Sequence, residues 1–342
     1  GIKASPTCVL QYGDAGGDTG HAVGYLVGQE NFGLQYMFIM MNAARYSVGM
    51  QGIGLAERAY QHAAAYAKER VQSRPVDGSS REAVAIVQHP DVRRMLMTMR
   101  ALTQGSRALA SFAAGQHDRA KHSPDATERE GAQTLYEFLV PLVKGYSTEM
   151  VLEVAQLGVQ VHGGMGFIEE TGAAQYLRDA KILAIYEGTT AIQANDLLGR
   201  KTLRDGGAFA RSVAANIQAT AEQLDGQNDA GAKSMAAHLR NATGDFLRSI
   251  DFLCANARAQ PNAVYTGSVP FLMLAGNLLA GWQMGRSWLA AADLPADQSD
   301  FARHKQITAQ FYAEHILPRC HAQALAICLG AGSVMALAPD AF

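Results

Sequence analysis

Glu187 is the residue in this sequence best suited to do chemistry. Ile182, Leu183, Ile185 and Tyr186 precede it, and Gly188 follows and lets the backbone turn. Apolar neighbours disfavour the charged form of a carboxylate, so its pKa is expected to rise toward the range of a general base. Two other features lie close in sequence. One is the glycine turn Gln160-Val161-His162-Gly163-Gly164-Met165-Gly166-Phe167; the other is Arg178-Asp179, at the end of an amphipathic segment. Glycines allow a ligand to approach the backbone closely, while the Arg-Asp pair reads as fixing a helix end. His162 has no HExxH partner, so it reads as a packing or hydrogen-bonding residue and not a metal ligand. Cys8, Cys254, Cys320 and Cys328 form no CxxC pair and sit mostly in apolar runs, the pattern of reduced thiols in a cytoplasmic protein.

These residues need elements to position them. Thr7–Tyr12 and His21–Val27 are predicted strands around a Gly13–Asp18 turn, a ribbon that would belong to a larger sheet. From Gly33 the pattern is helical. Val48, Gly52, Leu55, Ala59, Ala63, Tyr66 and Arg70 recur at spacings of three and four. Gly49, Gly52, Ala56, Ala59 and Ala63 make that face small, so a neighbouring helix can approach closely. Ser73–Ser80 reads as a loop and His89-Pro90-Asp91 as a helix start. Gln116–Glu128 reads as a polar connection. Further helices are predicted over Leu135–Val161, Ala173–Ile185 and Thr190–Leu198, giving an up-and-down bundle. After a linker at Asp205-Gly206-Gly207, four more helical segments cover Ala208–Leu224, Ala230–Arg258, Val269–Leu294 and Phe301–Leu329. The expected organisation is therefore mainly α: a β-hairpin remnant (1–33), a four-helix bundle (34–201) and a second helical domain (202–342).

Composition excludes several classes. With 48% hydrophobic and 18% charged residues the chain can bury a core, and a net charge of −2 favours no polyanion partner. The longest uncharged stretch, Ala322–Pro339, is interrupted by Gln323, Gly330, Gly332 and Ser333, so no membrane span is expected. The chain lacks an initiator Met and opens near a predicted strand, which reads as a piece of a longer protein.

The run Gln160…Gly163-Gly164-Met165-Gly166-Phe167, Arg178-Asp179-Ala180-Lys181 and Ile185-Tyr186-Glu187-Gly188-Thr189 resembles the C-terminal signature of the acyl-CoA dehydrogenases. Upstream, Arg45…Gly49…Gly54-Leu55-Ala56 and Tyr66-Ala67…Glu69-Arg70 resemble the first long helix of that family's C-terminal domain. The helices after Lys201 resemble the extension of the branch that includes the methylthiopropionyl-CoA dehydrogenases. The resemblance implies FAD as cofactor, an acyl-CoA substrate, electron-transfer flavoprotein as acceptor and a homodimer or homotetramer. It makes Glu187 the α-proton base and gives Arg70, Gln160, Gly163, Gly164 and Thr189 to FAD, with Arg70 reaching the pyrophosphate of a neighbouring subunit. Asn42, Arg45 and Gly188 fall toward the substrate. Some branches carry the base just before the Arg matching Arg45; Ala44 stands there and cannot abstract a proton. Plainer roles compete: a helix-end Arg for Arg70, an N-cap for Thr189, a helix-face ion pair for Arg45. The sequence departs from the family at Ser73-Arg74 and Pro90, where Gln88 or His89 could substitute. An acyl-CoA oxidase, or a non-catalytic or nucleic-acid-binding member of the same family, are the alternative functions.

Overall fold

The computed structural model describes residues 2–13 and 22–342. The helical reading from Gly33 holds. Helix α1 (Gly33–Glu69) is about 55 Å long at 1.5 Å per residue. It packs on α2 (Pro90–His122), whose Pro90 sits in the first turn, and on α4 (Ser147–His162). Helix α3 (Ala126–Pro141) joins α4 through a π-helical turn at Leu142–Tyr146, forming one interrupted rod. A one-turn helix α5 (Gly164–Phe167), then α6 (Ala173–Leu183) and α7 (Thr190–Asn195), complete this bundle; a second π turn follows at Asp196–Arg200.

The small-residue stripe has its expected consequence. Ala56, Ala59, Ala63 and Ala67 are buried, and a Cβ on Gly49 would lie 2.4 Å from the Val143 carbonyl oxygen. The backbone of α1 thus rests directly on the π turn.

Three expectations fail. The ribbon is not formed: residues 7–12 and 22–27 are in no strand and are exposed, and His21 and most of the turn cluster lie outside the described residues. A two-stranded ribbon is marginal by itself, and nothing described here covers Val9, Tyr12 or Tyr25. Gln116–Glu128 is not one connection. Helix α2 continues to His122, and after a short break Asp125 caps α3 through the Thr127 and Glu128 amides; most of the polarity there marks a solvent-facing helix end. Arg178 and Asp179 do not pair with each other. Within α6, Gln175 bridges them, and Arg178 also reaches Glu169.

Helices α8 (Ala208–Asp225), α9 (Ala230–Asn256), α10 (Pro261–Thr266), α11 (Ser268–Ala292), α12 (Ser299–His315), α13 (Arg319–Leu329) and α14 (Ala331–Val334) follow. The segment predicted as Phe301–Leu329 breaks before Arg319, where Pro318 interrupts the helical run. Helix α11 is apolar over most of its surface, as suits a helix largely surrounded by others, with Arg286 at its exposed edge. It packs on α9, α12 and α13 on one side and on α2, α7 and the first π turn on the other. Tyr146 and Tyr312 meet through their hydroxyls at 3.1 Å, and Arg319 grips Glu153 with both nitrogens at 2.7 and 2.8 Å. One continuous hydrophobic core results. No helix is long and apolar enough to cross a membrane among the described residues.

Candidate active site

Glu187 lies on the turn between α6 and α7 with φ 55°, a left-handed conformation that a glutamate seldom adopts. Gly188 follows at φ 91°, and a Cβ there would sit 2.7 Å from Gln193 Nε2. A turn of this kind persists only when its surroundings over-determine it, and several elements do so. The Tyr186 hydroxyl donates to Gln51 of α1. The Lys144 ammonium donates to the Gly188 carbonyl at 2.6 Å. The Thr190 hydroxyl donates to Glu149 of α4. Gln193 Nε2 approaches the carbonyls of Glu187 and Gly188, both at 3.4 Å. Thr189 caps α7 by accepting from the Ile192 amide.

The apolar setting expected around Glu187 is only partly present. Leu183 is buried, Ile182 and Tyr186 are half-buried, and Ile185 is 49% exposed. The charged neighbours are more informative. Arg45 is buried and bonds Asp196 at 3.4 Å, while Asp196 also accepts from Arg200 at 2.6 Å. Arg45 Nε has no partner among the described residues. Lys144 is fully buried. Burial pushes its ammonium down to about 8, and Arg45 pushes the same way; Glu149 and Glu187 oppose them. Glu187, Gly188, Arg45, Lys144 and Glu149 therefore form one charged cluster where α1 crosses the first π turn. Asn42 lies one turn before Arg45 on α1 and is half-buried.

Arg70, Gln160, Gly163 and Gly164 come together elsewhere. They line a cleft of about 720 Å³ at the far end of α1, with Tyr66, His89 and His162 among its walls. Gly163 ends α4 at φ 62°, ψ −139°, which suits glycine. His162 is buried and bonds the Gly158 carbonyl at 2.7 Å, its ring stacked on Tyr66, as a packing residue should be. Its Nε2 has no partner. His89 begins α2, and its ring bonds the Gln72 carbonyl at 2.7 Å. Arg70 carries no acidic partner among the described residues and is exposed. Along the helix, Arg45 and Arg70 are roughly 37 Å apart.

Lys144, Glu149, Gln193 and Asp196 were not singled out in the sequence. Lys144 left one trace there, a lone charge inside the apolar run Phe138–Tyr146.

Comparison with known proteins accords with this layout. Residues 31–201 match the model of the acyl-CoA dehydrogenase C-terminal domain, and residues 213–338 match one described as acetyl-CoA dehydrogenase C-terminal like. The chain is 57% identical over 325 residues to 3-methylmercaptopropionyl-CoA dehydrogenase from Ruegeria pomeroyi, covering 94% of this chain and 54% of that protein. Among solved structures, an acyl-CoA dehydrogenase complexed with FAD from Bacillus anthracis aligns with a TM-score of 0.67 at 20% identity, over 88% of this chain and 50% of that one. ACDH-11 of Caenorhabditis elegans, in complex with C11-CoA, aligns with a TM-score of 0.68 at 18% identity, over 85% and 46%. The chain thus spans about half the length of the curated relatives it matches. By its family matches over both helical regions and its identity to a curated member, the chain belongs to the acyl-CoA dehydrogenase family.

Proposed function

We propose that this chain is the C-terminal part of an FAD-dependent acyl-CoA dehydrogenase in which Glu187 removes the α-proton of an acyl-CoA thioester. The observation that carries the reading is the Glu187–Gly188 turn: a glutamate held in a left-handed conformation by side chains from α1, the first π turn, α4 and α7. Such over-determination fits a group that must meet a substrate carbon in one orientation. Gln193 and Lys144 take up the turn's carbonyl oxygens from inside. The Glu187 amide is the protein donor we assign to the thioester oxygen, where negative charge develops as the α-proton leaves. Arg45, already tied to Asp196, forms a fixed cationic wall beside this point, with Asn42 and Gly188 toward the acyl group. Bound acyl-CoA and flavin complete the water exclusion that Ile185 and its neighbours do not provide.

The cleft at Arg70 suits the phosphate end of FAD. Its fit rests on the exposed Arg70 guanidinium, without an acidic partner among the described residues, and on the open, Cβ-free edge of Gly163 and Gly164. When bound, FAD supplies the acceptor for the β-hydride. Thr189, beside the catalytic turn, is the residue we assign to the flavin phosphates of the chain's own site. By its family resemblance we assign Arg70 to the FAD of a second subunit in a homodimer or homotetramer, and the length of α1, which keeps the Arg70 cleft apart from Glu187, accords with that. Electron-transfer flavoprotein is the assigned acceptor. Given the name of the relative at 57% identity, 3-methylmercaptopropionyl-CoA is the first thioester to test.

Glu187→Gln in the FAD-loaded enzyme tests the base. Exchange of the substrate α-proton in deuterated water should disappear while the flavin spectrum stays. Near-normal turnover would sink the assignment.

A further inference from the structure

We infer that Lys144 is a positioning residue for the catalytic turn: its ammonium holds the Gly188 carbonyl and so sets both the orientation of Glu187 and the charge beside it. The inference rests on the reading of Glu187 as the base. Three independent observations support it. Lys144 is fully buried yet belongs to no ion pair among the described residues; its hydrogen bond goes to a main-chain carbonyl of the strained turn at 2.6 Å. It projects from a π-helical turn, an irregularity that interrupts the α3–α4 rod at this one point among its described residues. The backbone of α1 presses on that turn at Gly49 and Val143, so the lysine has a rigid base. Burying an ammonium against one carbonyl is unfavourable for folding unless charges nearby compensate, and the charges facing it are Glu149 of α4, Arg45 of α1 and Glu187 itself. A lysine serving packing alone would be replaced at lower cost by methionine.

Lys144 keeps its proton below about pH 8 and loses it above. Its cation faces Glu187, and its own deprotonation sets the alkaline side of the kcat/KM profile. For stability the sign is opposite. Because the folded pKa lies below the unfolded value, the buried ammonium weakens the fold below pH 8, and that deficit shrinks as pH rises toward 10.5.

Lys144→Met in the FAD-loaded enzyme is the test. We expect kcat to fall roughly 10- to 100-fold with KM little changed, FAD retained and Tm unchanged or higher at pH 7. The alkaline limb of kcat/KM near 8 should vanish. Unchanged kcat and an unchanged pH profile would overturn the inference, as would losses of Tm and activity in step with the profile kept. If Lys144→Met does not fold, Lys144→Arg decides. It should keep turnover and push the alkaline limb upward; an alkaline limb still near 8 overturns the inference. Failure of the underlying reading is separate: Glu187→Gln would then keep α-proton exchange whatever Lys144 does.

Discussion

Gly188 shows how little freedom the site leaves to single residues. Its φ of 91° already disfavours a side chain, and a Cβ would press on Gln193 Nε2 at 2.7 Å. Gly188→Ala should therefore cost about 1–3 kcal/mol of local strain and displace the carbonyl that Lys144 holds. The expected outcome is a fall in kcat larger than any fall in FAD content, measured by steady-state turnover against bound-flavin absorbance. Equal turnover would show that the turn tolerates the change. Glu187 could be singled out in the sequence because its neighbours Ile185, Tyr186, Gly188 and Thr189 form a run that resembles the family signature. Lys144 was not, because its meaning depends on contacts with residues 44 positions away and on a π turn that no local pattern announces.

At the scale of elements, the Glu187–Gly188 turn depends on how closely α1 lies against the first π turn. Gly49 sets that distance, since any Cβ would meet the Val143 carbonyl oxygen at 2.4 Å, and a main-chain oxygen cannot swing aside. Gly49→Val should destabilise the chain by about 1–3 kcal/mol, the usual range for overpacking, and lower activity as well by shifting Lys144 with its π turn. Thermal unfolding together with turnover measures both; an unchanged Tm would mean that the helix–helix spacing is not fixed there. Periodicity revealed most helices: Leu139, Leu142, Val143, Tyr146 and Met150 on the α3–α4 rod are buried, and of the stripe Val92, Met95, Leu96 and Met99 on α2 all but the half-buried Val92 are. It misread residues 116–128, where a solvent-facing helix and a short capped break carry the same polar composition. It also proposed a β ribbon whose strands, without a covering layer, do not pair.

At the scale of the whole molecule, α1 separates two half-sites. The Glu187 cluster lies against Arg45 and Gln51, toward the middle of α1, and the Arg70 cleft at its end; Arg45 and Arg70 are roughly 37 Å apart along the helix. One continuous core, extended by α11 into the later helices, keeps that separation fixed. In the proposed oligomer, then, each complete site takes Glu187 from one subunit and Arg70 from another, and this can be tested by mixing defects. Enzyme built only from Arg70→Ala subunits should lose flavin, and enzyme built only from Glu187→Gln subunits should keep flavin but not turn over. In a mixed dimer the two defects fall in the same site, and the other site receives an intact Glu187 and an intact Arg70. Random pairing of equal amounts should restore about a quarter of wild-type activity, because half the dimers are mixed and each has one intact site of two. If Arg70 served the site of its own subunit, every site in the mixed dimer would carry one defect and no activity would return. Differently tagged subunits, co-expressed and purified through both tags, would enrich the mixed dimer and raise the expected recovery to about half. No recovery in that material would place Arg70 and Glu187 in the service of one site and remove the inter-subunit arrangement.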